Sequence, residues 1–134
     1  MAVSDAWPLQ QAVYSVIVAA LADASESIQV FDHVPHNAPT EHIRLEGFDV
    51  ADDSFKDTER GRHPVMIGFF RRQVSADTTH ERGQQRVHEV LDIIHGAVKD
   101  LRHGRGRMQF EFKDVETGEQ GVSERGTLRY TITI

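Results

Sequence analysis

The chain has 134 residues, 39% of them hydrophobic and 27% charged, and carries a formal net charge of −6. That length fits one domain, residues 1–134, able to bury a core without staples. With no cysteine there can be no disulfide, thiolate metal site or cysteine nucleophile, and the acidic balance argues against a general nucleic-acid binder.

The N-terminus carries no basic stretch of the kind that opens a signal peptide, and the acid Asp5 stands in it. The first periodic segment is DAWPLQQAVYSVIVAALADA. Leu9, Ala12, Val13, Val16, Ile17, Ala20 and Leu21 recur at helical spacing and predict a helix from about Ala6 to Ala22. Ser4 or Asp5 suits its cap, and Pro8 falls in the first turn, where a missing N–H does no harm. Its apolar run, Val13 to Leu21, is too short to span a membrane.

SIQVFDHV is a short β-prone run, followed by a loop broken at Pro35 and Pro39. EHIRLEGF then alternates, with Ile43 and Leu45 on one side and His42, Arg44 and Glu46 on the other, which predicts a half-buried strand. ADDSFKDTERGR, residues 51–62, is polar and mixed in charge around a single aromatic, Phe55, and reads as a loop. HPVMIGFFRRQV reads as a strand buried on both faces, Val65, Ile67 and Phe69 against Met66 and Phe70, with Pro64 at its first residue.

A second helix is predicted from about Thr78 to Leu101, striped by Val87, Val90, Leu91, Ile94, Val98 and Leu101. Thr78 and Glu81 have capping-box spacing, with Asp77 as an alternative cap. RHGRGR is expected to end that helix as a solvated turn, since glycines stop a helix and cations suit its negative end. RMQFEFKDV and TLRYTITI then alternate, Met108, Phe110 and Phe112 on one face of the first and Leu128, Tyr130, Ile132 and Ile134 on one face of the second. The glycine-rich turn between them predicts an antiparallel hairpin. The order α-β-β-β-α-β-β predicts an α+β domain, a two-layer sandwich of two helices on a mostly antiparallel mixed sheet of four to five strands.

Chemistry-bearing residues are concentrated in two places. VFDHVPHNAPTEHIRL holds His33, His36 and His42, but a zinc site needs three or four ligands converging on one point. Here Pro35 interrupts the run, and Arg44 shares the polar face of His42. The second helix offers His88, Asp92 and His95 along one side, a geometry three metal ligands could use, though without an HExxH pattern. A metal-dependent enzyme built on these three is therefore one reading; a polar helix border is the other. No GxSxG elbow is present, and no glycine-rich loop opens a helix to face a phosphate. From the residues alone the chain reads as an interaction or assembly protein without a recognisable active site.

The layout carries more. LQQAVYSVIVAAL, then VFDHVP, HIRLEGF and HPVMIGFFRR, then ERGQQRVHEVLDIIHGAVKDL and a closing GTLRYTITI, resembles the small phage tail completion or tail terminator proteins of long-tailed phages, prophages and gene transfer agents. The resemblance runs from about Leu9 to Ile134 and rests on the order of these signals. It implies a homo-oligomeric ring, usually a hexamer, capping the head-proximal end of the tail tube and joining the tail to the head–neck, or stopper, proteins. DNA would cross the lumen without being read. A head–tail joining or neck adaptor of similar layout is the alternative, and a monomeric adaptor for one protein partner is a third reading. The place implied is the tail–neck junction of a particle, and the bacterial cytoplasm during assembly, with no membrane. The resemblance also implies that the chain is not an enzyme and takes no cofactor. The 51–62 loop is the expected contact with the adjacent tail ring, through Phe55, Lys56, Arg60 and Arg62.

Overall fold

A computed structural model describes residues 6–32, 35–37, 39–46, 62–72, 80–104, 106–117 and 123–133. Helix α1 spans Ala6–Asp23 and α2 spans His80–Val98. The strands are β1 (Gln29–Phe31), β2 (Glu41–Glu46), β3 (Arg62–Arg72), β4 (Arg102–His103), β5 (Gly106–Arg107), β6 (Gln109–Thr117) and β7 (Ser123–Thr133). Five strands form one sheet in the order β1-β2-β3-β7-β6, and β4 and β5 form a separate ribbon. The two-layer α+β architecture is as the periodicity predicts.

Both helices bury their predicted stripes. Leu9, Val13 and Ile17 of α1 and Val87, Val90, Leu91, Ile94 and Val98 of α2 are completely buried, and Leu21 nearly so. They meet Ile43 and Leu45 of β2, Val65, Ile67 and Phe69 of β3, and Leu128, Tyr130 and Ile132 of β7. A fully buried side chain of this kind stabilises by roughly 1.5–3 kcal/mol relative to its exposed state, so these stripes fix which face of the sheet the helices cover. Helix α1 ends in a paired C-terminal turn. The Glu26 N–H donates to the Leu21 carbonyl at 2.8 Å and the Ser25 N–H to the Ala22 carbonyl at 3.0 Å, with Ser25 at φ 59°. The predicted caps, Ser4 or Asp5 for α1 and Thr78 or Asp77 for α2, lie outside the described residues.

Four features depart from the linear reading. First, β1 pairs with β2 in parallel, Val30 opposite Ile43, while every other pair in the sheet is antiparallel. A β1 of only three residues asks the chain to double back roughly 10 Å, a distance within reach of the nine residues 32–40. Second, α2 stops at Val98, and RHGRGR is a β-ribbon rather than a solvated turn. Arg102 pairs with Arg107 and His103 with Gly106, turning at Gly104 with φ 60°. The Met108 N–H closes it onto the Leu101 carbonyl at 3.0 Å.

Third, β6 is bulged. Phe110 opposes Tyr130, but Phe112 opposes Arg129, so Glu111 is an extra residue. A bulge reverses the alternation beyond it. Phe110 stays on the helix side, whereas Phe112 turns to the other face, and both rings are exposed rather than buried beside Met108. Fourth, β3 is fully buried on one face only, with Met66 and Phe70 partly exposed on the other. Pro64 lies beyond the last β2 pair, Glu46 with Met66, which is where a strand tolerates a missing N–H.

Candidate functional site

The helix side of the sheet is closed at one end by an ion cluster rather than by hydrocarbon. Arg86 of α2 donates to Glu26, just past α1, at 2.7 and 2.9 Å, and to Glu41 of β2 at 3.0 and 3.0 Å. Arg71 of β3 donates to the same Glu41 at 3.2 Å and reaches Glu124 of β7 at 3.4 Å. Glu124 is 2% exposed, and its Oε1 has no hydrogen-bond partner. Three carboxylates thus share two guanidiniums. The hydrogen bonds from Arg86 hold Glu26 and Glu41 below the usual carboxylate range, with Arg71 adding to the effect at Glu41. The same bonds push the Arg86 guanidinium up, so it is a permanent cation. The network ties α2 and the turn after α1 to three strands, and its partners are 30 to 60 residues apart.

On the opposite face of the sheet a polar–aromatic ladder crosses four strands. Phe31 meets the His42 ring edge-on at 6.0 Å, His42 stacks on Phe70 at 5.2 Å, and the Arg125 guanidinium lies 4.9 Å over Phe70. His42 Nδ1 donates to the Pro39 carbonyl at 3.0 Å, which orients the ring. An open cleft of about 470 Å³ lies beside this ladder, walled by Pro35, His36, Pro39, Phe70, Arg72 and Arg125. On the helix side, at the β1 edge, a second groove of about 420 Å³ runs between α1 and β1, with Trp7, Tyr14 and Phe31 in its walls.

The anticipated site residues are distributed differently. Phe55, Lys56 and Arg60 lie outside the described residues, and Arg62 opens β3, its backbone opposite Thr133. The three helix candidates for a metal do not converge. His95 turns to the sheet, where its Nδ1 shares a 2.6 Å hydrogen bond with the Tyr130 hydroxyl. Burial raises the Tyr130 phenol's pKa, so it stays protonated. Asp92 points to Lys113 of β6 at 3.8 Å, and His88 is exposed. Among the described residues no group of three His, Asp or Glu could hold a metal. Of the loop histidines, His33 lies outside the described residues, His36 is exposed at the cleft, and His42 is spent on Phe70 and Pro39.

Sequence reasoning missed the ion cluster. Its one linear signal is Arg86, a cation adjoining the apolar stripe of a helix beside Val87. Nothing in the sequence names its partners.

Among the described residues no helix is long and apolar enough to cross a membrane. No family model matches the sequence, and none of the curated proteins does. In three dimensions the chain is similar to a chain of a solved particle, the "Virion of native gene transfer agent (GTA) particle". The TM-score is 0.67 and the identity 22%, over 99% of this chain and 97% of that one. Over nearly its whole length, this chain therefore shares the fold of a protein found in a gene transfer agent particle.

Proposed function

We propose that the protein is a structural subunit of a phage-like particle, and specifically a tail terminator: a ring, hexameric in the resemblance, that caps the head-proximal end of the tail tube and joins it to the head–neck proteins. The observation that carries the reading is the fold match to the gene transfer agent virion chain, which leaves almost nothing of either chain outside the alignment. The order of sequence signals supports the finer assignment. The site geometry agrees with a role in assembly: Glu26, Glu41, Arg71, Arg86 and His95 on the helix side are engaged in structural pairs.

In this reading the tail tube protein stacks on one face of the ring and the stopper on the other, while DNA passes through the lumen without sequence-specific contact. A lumen lined by part of the −6 net charge would repel phosphates and limit sticking. Deleting the gene and imaging the particles tests the assignment. A terminator's loss gives tails of unregulated length that fail to join heads. Tails of normal length lying beside filled heads would instead indicate a neck adaptor.

A further inference from the structure

Among the described residues, every large hydrophobic side chain that stands exposed falls in one of two patches. Trp7, Tyr14 and Val18 lie on the outer side of α1, 58%, 45% and 40% exposed, at a spacing that puts them on one helix face. Phe110 and Phe112 stand on β6, 49% and 44% exposed. The strand order β1-β2-β3-β7-β6 places these patches at opposite ends of the sheet, because α1 flanks β1 and β6 is the far edge.

We infer that the two patches are the two halves of one contact between copies of this chain: the α1–β1 groove of one copy receives the β6 edge of the next. The inference rests on the ring reading above and names the surfaces that would build it. Three observations point to a second copy. The first is charge. In its 18 residues α1 carries a single charged one, Asp23, at its end, in a chain that is 27% charged. An exposed helix face stripped of charge and bearing aromatics has the composition of an interface core.

The second is preorganisation. Phe110 is propped against His95 at 4.9 Å and Tyr130 at 5.5 Å, so its ring is held before any partner arrives. The bulge at Glu111 sends Phe112 to the other face, so the two rings straddle the edge. The third is the pattern of charge on β6. Glu111, Asp114 and Glu116 are exposed there against a single cation, Lys113, so β6 against β6 would bring net negative charge against itself. Gln10, Gln11 and Ser15 around the α1 groove are neutral, and the one carboxylate in its wall, Asp32, accepts from the Gln10 amide at 3.3 Å, so the groove opposes β6 less than a second β6 would.

Covering the five side chains would remove on the order of 500 Å² of apolar surface from water, the core of an interface of about 1,200–2,000 Å². Because the halves differ, the contact is head-to-tail, and it closes into a ring when its rotation closes.

The absence of cysteine makes a direct test possible. Tyr14→Cys and Phe112→Cys are introduced singly and together and treated with a short bis-maleimide, with melting curves confirming that each variant folds. The expected result is a ladder of covalent oligomers from the double variant and monomer from each single one. Monomer alone from the double variant, or covalent dimers from either single one, overturns the inference. In a second arm, Tyr14→Asp and Phe110→Asp are expected to lose assembly separately and to form a 1:1 dimer when mixed, since each keeps one intact half. Wild-type-like assembly by either variant alone counts against the assignment. Native mass of the unmodified protein reads the ring separately. A ring without a ladder sinks the two patches and leaves the ring standing, whereas a ladder from a protein whose loss leaves tail length unchanged does the reverse.

Discussion

At Gly126 the side chains of α2 lie against the sheet backbone, and replacing it tests the packing of that helix on β7. It sits on β7 opposite Phe69, on the helix side. A Cβ there would lie 2.5 Å from Val87 Cγ1, 2.7 Å from Leu91 Cδ1 and 3.1 Å from Leu91 Cγ. Carbon atoms pack best at about 3.5–4.0 Å, so α2 must lift by roughly 1 Å or two side chains must leave their rotamers. Val87 is β-branched and stiff, and both neighbours are completely buried, so neither has room to give. Overpacking of this kind costs about 1–3 kcal/mol. For a chain of this length that is a fall in Tm of roughly 3–4 °C per kcal/mol, or about 3–12 °C for Gly126→Ala. Calorimetry on the purified protein reads it directly. Gly96→Ala is the matched control: nothing lies within 4 Å of a Cβ there, the position is an exposed site on α2, and helix propensity favours alanine by about 1 kcal/mol. The two substitutions should therefore move Tm in opposite directions. In the Val87→Ala/Gly126→Ala pair the losses should be less than additive, because the first change removes the nearest clashing atom. A Gly126→Ala protein that melts at or above the parent would refute the close seating of α2 on β7.

Further outcomes follow from the ion cluster and the helix ends. Arg86→Leu leaves Glu26 and Glu41 without their main donor and is expected to cost about 1–2 kcal/mol, since hydrogen bonds to charged groups are worth about 1.5–3 kcal/mol and partial exposure screens them; chemical denaturation at pH 7 measures it. The pH dependence has a definite sign. Glu26 and Glu41 have depressed folded-state pKa values, so their contribution is present above the ordinary carboxylate pKa of about 4.3 and is lost as pH falls through the lower folded values. Acid titration should weaken the parent below about pH 4.3 more steeply than Arg86→Leu, and parallel acid limbs would count against the network. Ser25→Gly should stabilise by about 0.5–1 kcal/mol, because Ser25 is exposed and holds φ 59°, a conformation that costs a side chain and not a glycine. Tyr130→Phe removes the hydroxyl bonded to His95 and should cost about 1 kcal/mol by the same denaturation assay, with no effect expected from His88→Ala at the exposed position.

The metal-like grouping of His88, Asp92 and His95 shows how a correct local inference can still mislead. Helical spacing does put the three along one side of α2. What they touch depends on β6 and β7, whose own residues lie many positions further on. His95 finds Tyr130 and Asp92 finds Lys113, so the shared side holds no shared target. The β6 edge makes the same point. Alternation in RMQFEFKDV is real, but one extra residue, Glu111, reverses it midway, and nothing in that stretch distinguishes a bulged strand from a straight one.

Composition and periodicity by themselves determined the two helices, their buried stripes, the strands of the main sheet and the terminal hairpin, because each is a local consequence of where apolar residues recur along a backbone of fixed geometry. Only the tertiary structure decided the parallel β1–β2 pair, the β4–β5 ribbon, the five-residue ion cluster joining Glu26, Glu41, Arg71, Arg86 and Glu124, and the exposure of Phe110 and Phe112. Those depend on which distant segments become neighbours once the core closes. That is the physical reason the surfaces were less legible than the fold.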